Sequence, residues 1–193
     1  DVQRRRRRVD LVLVGEGTVR ADRPRLDGRL VAGEAGVPAV DPLPGYVDTD
    51  LSWTGGLPAD RYLVFAGRGA REAAGRRAVE SDGGEIVFCH ERDGRVDPAD
   101  LLQQLVARGL MTVMVEGGPR LASSFLAAGL VDRWLRYEAL RVLGSGVAWP
   151  PFPGPGQGDA GGFSLTGFRP LGPDLLAILD RSPFAAALGR VTL

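Results

Sequence analysis

Residues 111–121, Met-Thr-Val-Met-Val-Glu-Gly-Gly-Pro-Arg-Leu, are compatible with few folds. Met111 to Val115 is an apolar run that reads as a buried strand. It ends on a carboxylate, Glu116, followed by two glycines and a proline that opens a helical pattern from Arg120 to Ala128. Gly117 and Gly118 let backbone approach a ligand without side-chain obstruction. Pro119 suits the first helical position, where a missing N–H costs nothing. The amides that follow favour an anion, such as a pyrophosphate, above the helix start. Glu116 stands at the carboxyl end of the strand, where open α/β sheets bind ligands. A tight strand-to-helix turn with no ligand would use the same residues, so this segment alone leaves function open.

The rest of the chain alternates. Residues 1–8 read as the end of a helix entering a strand at Val9 to Val14. Residues 27–60, rich in Gly, Pro and Asp, read as mostly loop with a short strand at Gly45 to Leu51. Arg61 to Ala66 is strand-like, Arg71 to Ser81 helical, and Glu85 to Cys89 strand-like again. Asp97 as cap and Pro98 at the first position open a helix through Ala107, which Gly109 closes. Such alternation argues for a parallel sheet. After residue 130 the order changes. Arg133 to Leu143, Phe163 to Pro170 and Leu175 to Arg181 are strand-like runs, with a Pro- and Gly-rich loop from Trp149 to Gly162. The expected fold class is therefore α/β, with a mostly parallel central sheet flanked by helices and finished by antiparallel strands. At 193 residues a single domain is expected over 1–193.

Charge and composition narrow the chemistry. The formal net charge is zero, so no global field draws in nucleic acid or a membrane surface. Arg4 to Arg8 is a run of five arginines, but a helix spreads them over several faces and no aromatics interleave with them. All 24 basic residues are arginine, which excludes lysine Schiff-base chemistry. The one cysteine, Cys89, lies in an apolar strand pattern, and the one histidine, His90, follows it. An intramolecular disulfide is excluded and a zinc site is not supported. We therefore expect no metal, no nucleic-acid partner and no membrane partner. No apolar run is long enough to span a bilayer, and a cytoplasmic location is the default expectation.

A second junction precedes the first in the chain. An apolar run from Val9 is followed by Gly15-Glu16-Gly17-Thr18-Val19-Arg20-Ala21-Asp22-Arg23-Pro24-Arg25-Leu26. This strand-to-loop junction, the Val-Glu-Gly-Gly-Pro-Arg-Leu segment and the later Ala128-Gly129-Leu130-Val131-Asp132 resemble the reductase domain of the riboflavin-biosynthesis deaminase–reductase family. The fold of that domain is similar to dihydrofolate reductase. The resemblance runs from residue 1 to about residue 180 and is weak over 27–60 and 147–162. The His-x-Glu and Cys-x-x-Cys signature of the zinc deaminase domain fused in some relatives is absent from this sequence.

The resemblance implies NADPH as cofactor and hydride transfer to the ribosyl group of a ribosylamino-pyrimidine 5′-phosphate, giving a ribityl chain. Such a cofactor carries the hard chemistry, and the protein supplies position and electrostatics. No enzyme nucleophile is needed, so no catalytic side chain is assigned. By the same resemblance Thr18, Asp22 and Thr49 contact the dinucleotide, and Gly118, Pro119, Arg120 and Leu121 wrap its diphosphate. Arg6, Leu26, Arg29 and Glu116 fall at substrate-contacting positions. Arg6 and Arg29 are expected to grip the 5′-phosphate, for which a guanidinium fork is suited. Glu116 is expected to accept from the pyrimidine amino groups, and a neutral substrate would leave it unpaired. Arg68 or Arg71, beyond a later strand, offers charge for a 2′-phosphate.

The family pattern also implies a further strand before Asp1, because a central strand cannot be lost without exposing backbone groups. A homodimer is expected, with the alternating Trp134, Tyr137 and Leu143 region as a sheet-mediated interface. The divergent 27–60 segment keeps two other functions open: a paralogous reductase of another pyrimidine- or pterin-like compound, and a non-catalytic NADPH-binding protein.

Overall fold

The computed structural model describes residues 1–29, 41–116, 118–141 and 162–181. These residues fall into two compact units, 1–122 and 123–193. The first unit runs α1 (Val2–Arg6), β1 (Leu11–Gly15), α2 (Glu16–Asp22), β2 (Leu43–Val47), β3 (Tyr62–Gly67), a 3-10 turn (Arg68–Glu72), α3 (Gly75–Ser81) and β4 (Gly84–Cys89). It continues with a hairpin of β5 (Glu91–Arg92) and β6 (Arg95–Val96), then α4 (Pro98–Val106) and β7 (Val113–Val115). Helix α5 (Pro119–Ala127) follows. The second unit contributes β8 (Arg133–Ala139), β9 (Phe163–Leu171) and β10 (Asp174–Arg181).

Five strands form a parallel sheet in the order β4-β3-β2-β1-β7. Leu11 to Val14 of β1 and all of β3 are buried, as expected of strands covered on both faces. Along one face, Val12, Val14, Tyr46, Tyr62, Val64 and Ala66 share a core with Val19 of α2 and Val79 of α3. Each valine among them stabilises the fold by about 1.5–3 kcal/mol relative to exposure. The three remaining strands form a separate antiparallel sheet, β8-β10-β9. There Asp180 is buried and holds Arg133 through two contacts, 2.6 and 3.0 Å, while the Thr166 hydroxyl donates to it at 2.7 Å. The bond from Arg133 keeps the Asp180 carboxyl below its ordinary pKa.

The expected α/β class, with a parallel core and antiparallel finish, is what the chain adopts. Asp97 caps α4 as its position implied: its Oδ1 accepts the Ala99 amide at 3.0 Å, with Pro98 in the first turn. Four local expectations change. Residues 16–22 form a helix where a loop was expected. The short strand expected at 45–51 lies at 43–47, because Asp48 turns the chain away by binding the Trp53 amide at 2.8 Å. The helix expected over 71–81 divides at Ala73, whose extended backbone separates the 3-10 turn from α3. The β5–β6 hairpin, unforeseen, turns on Asp93-Gly94, both at positive φ, the pair that suits a tight hairpin.

Trp134 and Tyr137 also separate. Pairing sets Trp134 opposite Leu179 and Tyr137 opposite Leu176, which are on opposite faces of β10. They cannot belong to one interface stripe. Leu143 lies outside the described residues.

Where β1 enters the sheet, Asp10 ties it to β7. One carboxylate oxygen accepts the amides of Met111 and Thr112 and the Thr112 hydroxyl, each at 2.8 Å, which is why β7 begins at Val113 and not at Met111. These bonds, the Thr112 hydroxyl foremost, lower the Asp10 pKa. A depressed carboxyl contributes stability above its unfolded pKa and loses it as pH falls through the folded value. Asp10→Asn should therefore lower the melting temperature by a few degrees at neutral pH. The gap to the parent should close in acid below the ordinary aspartate range.

Candidate functional site

Strand order decides where a site can form. From β1 the chain steps outward through β2, β3 and β4, then returns to place β7 on the other side of β1. The switch point is the β1–β7 pair, and open α/β sheets bind ligands beyond the carboxyl ends there. Leu11 to Leu13 pair with Val113 to Val115, and the Glu116 amide extends the ladder to the Leu13 carbonyl at 2.8 Å. Both strands thus deliver their helices, α2 and α5, at one edge.

The two junctions meet. A Cβ built on Gly118 would lie 3.5 Å from the Thr18 hydroxyl oxygen, and one on Gly15 would lie 3.9 Å from Leu121 Cβ. Gly118 has φ +48°, a left-handed conformation that glycine adopts without strain. Pro119 then takes the first position of the nine-residue α5, with Arg120 and Leu121 in its first turn. A helix start carries amides without intrahelical acceptors, beside the positive end of the dipole. Residues Thr18, Gly118, Pro119, Arg120 and Leu121 are brought together as the motifs implied. Asp22 ends α2 and is exposed. Thr49 stands past β2, where its hydroxyl accepts the Val96 amide at 3.3 Å and so anchors the hairpin.

Two residues away from Gly118, the Glu116 carboxylate has a partner. Arg6 donates from Nε to Oε1 at 2.8 Å and from Nη2 to Oε2 at 2.6 Å, while its Nη1 donates to the Asp27 carbonyl at 3.1 Å. Glu116 was expected to face pyrimidine amino groups and Arg6 a phosphate. In the structure they bind each other, because α1 lays the arginine across the end of β7 and every nitrogen of the fork is used. The bond to Glu116 raises the Arg6 pKa above its ordinary value, so the guanidinium stays charged.

Arg29 does not join Arg6 directly. Its Nε lies 3.0 Å from the Asp27 carboxylate, whose other oxygen is 3.0 Å from Arg25 Nε. Asp27 is thus a hub holding three arginines, one through its carbonyl and two through its carboxylate. Arg29 remains more than half exposed, a position open to an anion from solution. Leu26, expected to touch substrate, is 1% exposed and packs in the core with Val14 and Val19. At φ +54° its backbone reverses the chain, so any contact it makes with a ligand passes through the main chain.

Sequence inspection also missed a polar network on the other flank of α2. Asp48 is buried, and that burial raises its pKa against the lowering effect of the Trp53 and Ser52 amides. The Arg20 guanidinium lies 5.2 Å from the Trp53 ring centre, bonds the Ser52 hydroxyl at 2.9 Å and pairs with Glu16. Cys89 is buried, its thiol pushed up to about 12, in keeping with a core role. Arg71 lies 5.1 Å over the Phe88 ring. Among the described residues no group of three acidic, His or Cys side chains could hold a metal.

The family described as the RibD C-terminal domain matches residues 1–177. The riboflavin biosynthesis protein RibD of Actinobacillus pleuropneumoniae is 31% identical over 80% of this chain and 41% of its own. That of Bacillus amyloliquefaciens is 30% identical over 91% of this chain and 47% of its own. The chain thus spans less than half the length of these relatives. A shorter relative, the 2,5-diamino-6-ribosylamino-4(3H)-pyrimidinone 5′-phosphate reductase of Aquifex aeolicus, is 29% identical over 79% of this chain and 66% of its own. Among solved structures, the riboflavin biosynthesis reductase of Saccharomyces cerevisia superposes with a TM-score of 0.68 at 20% identity, over 92% of this chain and 77% of that one. At that identity the likeness speaks of fold.

The Arg6–Glu116 pair gives a measurable expectation. Its side chains are 12% and 17% exposed, so removing one leaves a largely desolvated charge. Arg6→Met should cost about 2 kcal/mol in denaturant unfolding, less than the ~3–5 of a fully buried pair. Glu116→Gln, which keeps an acceptor for Nε, should cost less.

Proposed function

We propose, from the premise that this chain belongs to the RibD C-terminal domain family, that it is an NADPH-dependent reductase. Its substrate would be a ribosylamino-pyrimidinone 5′-phosphate, whose ribosyl group becomes ribityl. The observation that carries this is the meeting of Thr18 and Gly118 at the β1–β7 switch point. The absent Cβ and left-handed backbone at Gly118 leave a cradle at a helix start, which fits a diphosphate.

The bound dinucleotide would supply the hydride. Gly118, Pro119, Arg120 and Leu121 would hold its diphosphate, and Thr18, Asp22 and Thr49 would offer oxygen partners to its ribose or carboxamide. Glu116 would present a carboxylate to the pyrimidine amino groups, with Arg6 orienting it. Arg29, more than half exposed, would take the 5′-phosphate, and the Leu26 main chain would border it. What the protein contributes is near-attack geometry between two carbons, which a fixed edge of paired strands provides. We place the reaction in the cytoplasm, since both reactants are multiply charged and do not cross bilayers. No helix among the described residues is long and apolar enough to span one.

A homodimer belongs to the same proposal. Leu165 and Phe168 of β9 are each 62% exposed and stand beside Leu179 and Ala177 on one face of the antiparallel sheet. That apolar face supports self-association, and Phe168→Glu should convert the dimer to monomers in light scattering.

Purified protein with NADPH and the ribosylamino-pyrimidine phosphate should show substrate-dependent loss of NADPH absorbance. Binding of NADPH without turnover would instead fit a non-catalytic relative. Gly118→Ala should raise the KM for NADPH about tenfold, since it adds both a strained φ and a methyl against Thr18. An unchanged KM would remove Gly118 from the cofactor cradle.

A further inference from the structure

We propose that Arg20 is a positioning residue for the dinucleotide, acting through helix α2. This rests on the reductase reading above and concerns a residue outside the motif positions assigned there. Helix α2 has seven residues and no side-chain hydrogen bond at its N-cap, so its placement depends on tertiary contacts. Those contacts lie on three sides. Val19 is buried in the core; Thr18 faces the Gly118 turn; Glu16 and Arg20, one helical turn apart, occupy the flank away from Thr18.

On that flank Arg20 is the connecting element. Its guanidinium stacks 5.2 Å from the Trp53 ring centre and donates to Ser52 Oγ at 2.9 Å, while Ser52 Oγ lies 3.3 Å from Glu16 and 3.4 Å from Asp48. The platform itself is rigid. Buried Asp48 receives the Trp53 amide at 2.8 Å and fixes the residue 51–53 turn at the end of β2, the strand paired with β1. Without Arg20, that flank of α2 keeps only the 3.3 Å contact of Ser52 with Glu16, and the helix is freer to roll about buried Val19. A roll of about 15° carries a side-chain Cβ about 1 Å, enough to move the Thr18 hydroxyl out of register with Gly118.

The test compares the parent with Arg20→Met, Arg20→Lys and Ser52→Ala, using NADPH affinity from fluorescence titration, the KM for each reactant, and melting temperature. Arg20→Met should weaken NADPH binding about five- to tenfold while the KM for the pyrimidine phosphate and the melting temperature stay close to the parent. Ser52→Ala leaves the charge unchanged and should weaken NADPH binding in the same direction, by about two- to threefold. Lysine keeps a cation over the indole but lacks the fork, so it should recover affinity only in part. Full recovery by lysine with no effect from Ser52→Ala would mean a direct charge contact and would overturn the positioning role. So would unchanged NADPH affinity in Arg20→Met, or equal weakening towards both reactants. A folded parent that fails to bind NADPH would overturn the reductase reading itself, and the inference with it.

Discussion

The parallel pairing of β1 with β7 is the constraint on which the rest of the first unit depends. β1 is buried on both faces, and the chain can complete its ladder only by returning from β4 to the far side. That return brings a second strand end, and a second helix start, beside the first. Everything at the candidate site follows: the contact of Thr18 with the Gly118 turn, the Gly15 approach to Leu121, and the placing of Glu116 within reach of α1. Asp10 fixes the opposite end of the same pair, so both ends of the switch are held by side-chain bonds to backbone or by ladder.

Much of this was legible because local chemistry alone determines it. Asp97-Pro98 can do little except start a helix, and Gly-Gly-Pro after an apolar run forces a strand-to-helix turn. Helix α2 was not legible. Gly15-Glu16-Gly17 reads as loop, and its helix is held by Val19 in the core and by Arg20 on Ser52 and Trp53, all far away in sequence. Asp27 was missed for a related reason: an acid between two arginines in a Gly- and Pro-rich stretch gives no periodic signal. Its role as a hub appears only when the chain reverses at Leu26. Arg6 and Glu116 fell in the right place, but their mutual bond depends on the approach of α1 to β7, which no spacing of residues 110 apart announces.

That bond alters the electrostatics of the site. Two residues of opposite charge, each suited to a different part of a substrate, neutralise one another across 2.6 Å. The exposed guanidinium groups of Arg25 and Arg29 gather instead on Asp27. The Glu116 carboxylate is held in one orientation by the two bonds from Arg6.

Leu26 combines two properties that rarely coincide: a left-handed backbone, which costs a branched residue about 1–2 kcal/mol, and a fully buried side chain, which offsets about as much. Glycine would relax the former and forfeit the latter. Leu26 is therefore fixed twice, by its backbone and by the core that it fills. A graft that replaces Leu26 should unseat that core, whereas one spliced after Gly28 leaves it in place.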